Sequence, residues 1–448
     1  MLSTLRNAWR IPELRKKILF TLLIVLIYRI GNVVPVPFVH VDNMSAMFDQ
    51  ELSGTIFGLF NMMSGNAFSM ATIFALGIQP YINASIIIQL LCVAIPALER
   101  MSKEQGEIGK KKIEKITRIS TVAIGLLLGF AYYTMLKNGN VNILSDAGKD
   151  WKGAVVIIGT FTAGSCLVMW LGEQINGKGI GNGISMILFA NILAGFPSMV
   201  STAFNGLEGK QGVVIEAPKT ATNIYGTEVV FFKWWHLVII GVLMLLVTLF
   251  IIYVNDAERR IPIQYAKRVV GRKVYGGQST NLPIKVSMSG VMPVIFASSI
   301  ISVPATICTF IDKKGPWYWN VFHQSSWIYV AIYTLLIFFF SWFYSTIQYD
   351  PVEISNNLQK NGGFIPGFRS GKPTAQFIKK VISKILVFGA VYLAVVALIP
   401  MLSNIFIKAA QGLAIGGTSV IIVVGVALET VKALEAQMMM RHYKGFLD

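Results

Sequence analysis

Residues 71–91 read ATIFALGIQPYINASIIIQLL, a stretch apolar enough to enter a bilayer although it contains Pro80 and several amides. Taken as one helix, it places two polar pairs four residues apart: Gln79 with Asn83, and Ser85 with Gln89. Pro80 lacks a backbone donor and predicts an interruption of this helix. Two interpretations stay open. The polar residues either pack against neighbouring membrane helices or line a wet pathway, because amides that face lipid are costly.

The whole chain has the composition of a polytopic membrane protein. Hydrophobic residues make up 54% of its 448 residues and charged residues 14%, and the mean hydropathy is +0.61. A membrane-spanning helix needs roughly 20 apolar residues. Ten stretches qualify, which predicts an all-α integral membrane protein with spans at 18–34, 71–95, 116–136, 154–171, 183–200, 234–254, 288–310, 326–347, 383–402 and 412–429.

The basic residues predict the orientation of these spans. With the N-terminus inside, 29 of the 39 lysines and arginines lie in cytosolic connections and 9 in outer ones, so both termini are expected in the cytosol. An odd number of spans in each half makes the second half enter from the opposite side, which predicts two inverted halves. The expected units are 1–200 for spans one to five, 201–233 for an outer hinge connection, 234–429 for spans six to ten, and 430–448 for a cytosolic tail.

The sequence carries no pattern typical of catalysis or of cofactor binding. Residues 177–183 (GKGIGNG) are glycine-rich but lack the GK[ST] ending of a phosphate-binding loop. The four histidines and three cysteines lack metal-ligand or catalytic spacing. We therefore expect no catalytic residue, no metal and no cofactor. Arg29 lies near the outer end of the first span, where it can snorkel towards water.

The segment before residue 71 is moderately apolar and is predicted on the outer side. Residues 55–70 read TIFGLFNMMSGNAFSM and are interrupted by glycine and serine, so they are unlike a complete span. Both a re-entrant segment and an apolar surface loop fit this pattern.

Five motifs resemble the SecY family of protein-conducting channels. They occupy residues 74–91 (FALGIQPYINASIIIQLL), 169–189, 265–306, 364–371 (FIPGFRSG) and 416–424 (GGTSVIIVV). The resemblance implies an hourglass pore between the two halves, through which unfolded secretory proteins cross the bacterial cytoplasmic membrane and from which membrane proteins leave sideways into lipid. It also implies SecE-like and SecG-like subunits, the motor ATPase SecA, the ribosome and client signal sequences as partners.

The resemblance also implies which residues close the pore. A ring of aliphatic side chains at the waist would consist of Ile78, Ile82, Ile184, Leu188, Ile295 and Ile422. Such a collar can seal around any peptide, and an apolar constriction resists ions. The broken outer segment would be the plug of the resting pore, formed by Phe60, Asn61, Met62, Met63, Ser64, Gly65, Asn66, Ala67 and Phe68.

Two further sites follow from the same resemblance. The second and seventh spans would form a lateral gate, with polar side chains that bond across the seam and yield to an apolar signal; the candidates are Asn83, Ser85, Gln89, Ser298 and Ser299. Basic cytosolic connections would dock the motor or ribosomal RNA phosphates through Arg259, Arg260, Lys267, Arg268, Arg272, Lys273 and Arg369.

One function from a different class stays open. Inverted repeats and broken helices also serve secondary transporters of small solutes. The shortage of ionisable residues in the spans disfavours an ion-coupled transporter. Without ion coupling, the energy for transport would have to come from a partner.

Overall fold

The computed structural model describes most of the chain. The described residues are 2–48, 60–61, 63–103, 106–138, 143–205, 207, 213–218, 225–230, 233–265, 268–270, 273–275, 279–288, 290–310, 326–406 and 417–444. Three of the predicted site residues, Met62, Lys267 and Arg272, lie outside these ranges.

Ten helices match the ten predicted spans, which confirms the all-α membrane fold. By length and composition alone, α3, α4, α6, α8 and α9 could cross a membrane, and α2, α5 and α7 are shorter apolar helices. The bounds are α1 Pro12–Gly31, α2 Gln79–Ala94, α3 Gly106–Asn138, α4 Trp151–Lys178, α5 Gly183–Asn205, α6 Trp234–Asp256, α7 Met292–Phe310, α8 Trp327–Gln348, α9 Lys372–Phe406 and α10 Gly417–Lys444. Shorter helices cover Leu2–Arg10, Val41–Met47, Pro96–Lys103, Asp146–Lys149 and Pro351–Lys360.

Helices that are neighbours in sequence pack against one another within each half of the chain. In the first half α3 contacts α2 and α4, and α4 contacts α5; in the second, α8 contacts α7 and α9, and α9 contacts α10. The two halves meet where α2 and α3 touch α7, and again where α5 touches α10. One hydrophobic cluster extends through both halves.

Three helices predicted to enter from the outer side begin with exposed tryptophans. Trp151 starts α4, Trp234 starts α6 and Trp327 starts α8, and these side chains are 74%, 73% and 59% exposed. Tryptophan concentrates at membrane interfaces because its ring is apolar and its N–H needs a partner. Their shared position is typical of a belt at one membrane surface.

Short strands, which the sequence did not predict, lie outside the helix bundle. Strands β1 and β2 pair as an antiparallel hairpin, and so do β4 and β5. In a three-stranded antiparallel sheet, β3 is central, between β6 and β7. The bounds are β1 Val213–Pro218, β2 Tyr225–Val230, β3 Glu258–Tyr265, β4 Arg268–Val270, β5 Lys273–Tyr275, β6 Ser279–Lys285 and β7 Gly363–Phe364.

The three-stranded sheet joins the two large basic connections into one unit. Strand β7, from the connection between α8 and α9, pairs with β3, from the connection between α6 and α7. Ile261, Ile263 and Ile284 of the sheet pack with Ile378 and Ile382 of α9 in a separate buried cluster. The two connections therefore share a hydrophobic core outside the bundle.

Helix α2 begins later than the sequence predicted. Residues 71–78, here called the pre-helix segment, form turns, and the helix starts at Gln79 with Pro80 in its first turn. Proline is favoured there because the first helical N–H groups have no intrahelical partner. The prediction that Pro80 interrupts a helix over 71–91 is therefore wrong, since the proline marks where the helix begins.

The pre-helix segment is fixed at both ends. The Ile73 amide donates to the Val34 carbonyl at 3.0 Å, and the Ser165 hydroxyl of α4 donates to the Gly77 carbonyl at 3.0 Å. A Cβ atom at Gly164 of α4 would lie 2.0 Å from the Ile73 carbonyl oxygen. Only glycine therefore allows α4 to approach the segment this closely.

Candidate pore, plug and gate

Residues 60–70, here called the plug segment, fold into the bundle. Residues 60, 61, 63 and 64 are helical, and the chain then turns at Gly65 and Asn66, which have φ of 67° and 68°. The Asn61 side-chain oxygen accepts from the Ser69 amide at 2.9 Å. Met63, Ser64, Ala67 and Phe68 are buried. This burial excludes the alternative of an exposed surface loop for the described part of the segment.

Asn191 of α5 holds the plug segment from one side. Its amide nitrogen donates to the Met63 carbonyl at 2.7 Å and to the Tyr28 hydroxyl of α1 at 2.9 Å. The Asn191 side chain is 0% exposed, so both bonds form where water cannot replace them. Loss of a buried hydrogen bond that leaves its partner unpaired costs about 1–3 kcal/mol.

Two further side chains bind carbonyl groups of the plug segment. Asn32, which follows the last residue of α1, donates to the Ser64 carbonyl at 3.1 Å. The Tyr132 hydroxyl of α3 donates to the Phe68 carbonyl, and the Tyr132 and Phe68 rings pack with centroids 4.6 Å apart. Residues of α3 and α5, together with the residue that follows α1, therefore bind the backbone of one short segment.

Arg29 faces the plug segment while its side chain as a whole is half-buried, so snorkelling towards water stays a prediction. Its Nη1 atom is buried. A Cβ atom placed on Gly65 would lie 2.7 Å from this nitrogen and 2.9 Å from the Asn191 side-chain oxygen. Glycine is required at position 65 both for this space and for the positive φ.

Gln79 also faces the plug segment instead of forming the predicted pair with Asn83. Its amide nitrogen lies 3.1 Å from the Met63 sulfur. The second predicted pair is present, since the Gln89 amide donates to the Ser85 hydroxyl at 3.3 Å. The first turn of α2 is therefore directed at the plug segment.

The six residues predicted for the pore ring lie on four helices from both halves. Ile78 precedes α2 and Ile82 lies in its first turn, whereas the others lie on α5, α7 and α10. All belong to or pack against the same hydrophobic cluster. Ile184 is partly buried, and the other five, Ile78, Ile82, Leu188, Ile295 and Ile422, are at most 4% exposed. Their arrangement as one closed ring stays a prediction.

A cavity of about 320 Å³ lies beside the ring position Ile295, on the side of the bundle that carries the three-stranded sheet. It is enclosed by the beginnings of α5 and α7, the end of α8, and α10. Its polar lining includes Asn182, Ser185, Lys285, Ser287, Tyr349 and Glu429. The sequence did not single out this cavity, because its walls come from four distant parts of the chain.

The side chains predicted for the lateral gate bond mainly within their own helices. The Ser298 hydroxyl donates to the Ile295 carbonyl at 2.8 Å, and Ser299 is buried. Helices α2 and α7 do contact each other. Among the described residues, however, none of the five gate candidates forms a hydrogen bond across this contact. The expected polar bonds between α2 and α7 are therefore not seen in this part of the chain.

The docking residues that the structure describes lie on the unit of two basic connections. Arg259 and Arg260 are exposed on β3, and as neighbours on a strand they point to opposite faces. The Arg260 guanidinium pairs with Glu258 at 2.6 Å, which offsets part of its charge. Arg268 lies in β4 and Lys273 in β5.

Arg369 lies at the tip of a fixed turn on the same unit. Gly367 and Gly371 have φ of 87° and 95°, a conformation that glycine adopts at no steric cost. The Thr374 hydroxyl donates to the Arg369 carbonyl at 2.7 Å, while the Arg369 side chain is exposed. The backbone is therefore anchored and the guanidinium is presented to solvent.

The chain is similar to known proteins both in sequence and in structure. A sequence model of SecY matches residues 72–431. A relative from Streptomyces galbus, described as "Protein translocase subunit SecY", is 41% identical over 459 residues, with 100% of both chains covered. A relative from Thermotoga maritima with the same description is 40% identical over 452 residues, with 100% of this chain and 98% of the relative covered.

Solved structures share the fold at lower sequence identity. "The structure of a protein conducting channel" matches with a TM-score of 0.62 at 18% identity, and 96% of each chain is covered. "Sec61 in the Canine ribosome-channel complex from the endoplasmic reticulum" matches with a TM-score of 0.58 at 16% identity, again over 96% of each chain. The match to the family sequence model and the full-length relatives together show that the chain belongs to the SecY family.

Proposed function

We propose that the chain forms a channel that conducts unfolded polypeptides across a membrane and releases apolar segments sideways into lipid. The observation that carries this proposal is the plug segment, which lies in the bundle beside Gly77 and Gln79 at the start of α2 and is bound through its backbone by Asn32, Tyr132 and Asn191. Hydrogen bonds to backbone carbonyl groups can hold the plug segment in the resting channel and still release it, because no covalent bond has to break. A relative's structure is described with the words "The plug domain of the SecY protein stablizes the closed state of the translocation channel and maintains a membrane seal".

Membership of the SecY family supports the other elements of the proposal. Residues 1–200 and 234–429 form two inverted halves, joined at 201–233, and the six aliphatic residues close the pore between them. The α2–α7 contact is the lateral gate, with Asn83, Ser85, Gln89, Ser298 and Ser299 along it. The chain resides in the bacterial cytoplasmic membrane with both termini in the cytosol. SecE-like and SecG-like subunits accompany it, and the SecA motor or the ribosome supplies the driving force.

A crosslinking experiment tests the polypeptide path. Cys92, Cys166 and Cys308 are replaced, one cysteine is placed at Ile82 or Ile295, and a client with a single cysteine is stalled during translocation into vesicles. We expect a disulfide at both positions, because both side chains belong to the proposed ring. Leu245 of α6 is 60% exposed on the outside of the bundle and provides the control position.

The result also separates this function from transport of a small solute. A crosslink at Leu245 equal to that at Ile82, or no crosslink in vesicles that protect the client, would place the path elsewhere and favour the transporter interpretation. Membership of the SecY family argues for the channel.

Arg369 provides a test of the proposed docking surface. Reversing its charge with Arg369→Glu is expected to reduce motor-driven translocation by about tenfold, because the fixed turn would present an anion where a cation is needed; loss of about 1.4 kcal/mol of binding has this effect. The measurement is the rate of client protection in vesicles.

Lys360 is the matched control for Arg369, since it is an exposed cation in the same connection. Lys360→Glu is expected to change the rate much less. Equal rates for the Arg369→Glu and parent proteins would remove Arg369 from the docking surface.

A further inference from the structure

We propose that Glu429 is the counter-ion for the basic segment that precedes the apolar core of a client signal sequence. The inference rests on the proposed function and assigns a cationic peptide segment to the cavity beside Ile295. Glu429 lies on α10 and is the one carboxylate among the described residues that line this cavity. A Cβ atom placed on Gly290 would lie 3.2 Å from its carboxylate oxygen, so the carboxylate lies at the turn that leads into α7.

Two lysines, Lys285 and Lys432, act electrostatically on this carboxylate without forming an ion pair with it among the described residues. Lys432, one turn further along α10, pairs with Asp256 at 2.7 Å and also donates to the Asn255 carbonyl. Within the described part of the chain, Glu429 forms no ion pair, and its side chain is exposed to the cavity. Lys285 lines the same cavity from the end of β6 and is exposed. Its ammonium group is flexible and strongly hydrated, so it can turn to water when another cation enters.

The position of the cavity matches the order of segments in a signal sequence. A signal carries a positively charged region followed by an apolar one. An apolar region that enters between α2 and α7 lies along α7, which begins at Met292. The charged region before it then lies at the start of α7, where Gly290 and Glu429 line the cavity. A carboxylate at this point favours a signal whose basic end stays on the cytosolic side.

The charge preference for client signals tests this assignment. Membrane vesicles that carry the chain receive one client whose signal has a basic, neutral or acidic leading region, and protease-protected client is measured. The parent protein is expected to prefer the basic over the acidic signal. Glu429→Gln should lower that preference about two- to fivefold, as expected for a partly exposed ion pair. Glu429→Lys should lower it further, whereas Lys285→Gln should raise it.

Two controls separate a charge effect from damage to the channel. Glu435 is exposed on the same helix outside the cavity, and Glu435→Gln should leave the preference unchanged. The neutral signal should give the same protection in the Glu429→Gln and parent proteins. A uniform loss for all three signals would mean that Glu429 only supports the Gly290 turn, and would overturn the assignment.

A contact measurement completes the test. A cysteine at 429 should form a disulfide with a cysteine in the leading region of a stalled client, and a cysteine at 435 should not. Protection of all clients without this crosslink, or with an unchanged charge preference in Glu429→Gln, would overturn the inference alone. Vesicles in which no signal leads to protection would overturn the proposed channel function, and the inference with it.

Discussion

Gly65→Val is expected to make the resting channel leak ions. Position 65 has φ of 67°, which costs a β-branched residue about 1–3 kcal/mol. The first side-chain atom would also lie 2.7 Å from Arg29 Nη1 and 2.9 Å from the Asn191 oxygen. The Asn191 Cα atom, 3.3 Å away, belongs to the backbone of α5 and cannot turn aside as the two side-chain ends can. A destabilisation of this size shifts the equilibrium between the seated and the displaced plug by roughly five- to 150-fold. The shift is measured as the ion conductance of the reconstituted protein in the absence of a client.

Gly362 allows the effect of strain to be separated from the effect of position. It has φ of 69° and would place a Cβ atom in open space, outside the bundle. Gly362→Val carries the same backbone cost and is expected to leave the resting conductance unchanged. Equal conductance in Gly65→Val and the parent protein would argue that residues 60–70 do not seal the pore.

Asn191→Leu is expected to have a comparable effect through hydrogen bonding. The substitution removes the donor to the Met63 carbonyl and to the Tyr28 hydroxyl, and both partners stay buried. An unpaired buried group costs about 1–3 kcal/mol, so the seated plug loses stability. Resting conductance should rise, and client signals of lower hydrophobicity should become effective, since less work is needed to displace the plug.

A hydrogen bond away from the plug provides the comparison for Asn191. The Thr160 hydroxyl donates to the Val156 carbonyl within α4 at 2.7 Å and is exposed, so Thr160→Val should leave conductance unchanged. The double variant of Gly65→Val and Asn191→Leu should destabilise the seated plug by less than the sum of the two single free-energy changes, because a side chain at position 65 would contact Asn191. Strict additivity would show that the two residues act separately.

The sequence predicted the helices well because their signal is local. All ten spans depend on runs of apolar residues, and each of the ten has a helix. The sequence does not locate the start of α2, because a proline in an apolar run is compatible both with an interruption inside a helix and with the first turn of a helix. Only the turns of residues 71–78 and the approach of Gly164 show which applies.

The plug contacts could not be predicted because they join distant residues. Asn191 is 128 positions from Met63 and 163 from Tyr28. An amide in the middle of an otherwise apolar span was the available signal, because a buried amide needs partners. Nothing in the order of residues identifies those partners. The contact of Arg29 with the plug segment could not be predicted for the same reason, because the sequence does not show which segment lies beside the helix.

The fixed pre-helix segment has a kinetic consequence for the proposed plug. Because residues 71–78 are anchored to α4 and to the loop after α1, a displaced plug stays tethered at its C-terminal end within a few residues of its seat. Its return is a first-order step, with an effective concentration on the order of millimolar for a short tether. The rate of resealing is therefore independent of how many channels the membrane holds. Each channel closes as soon as its own client has left.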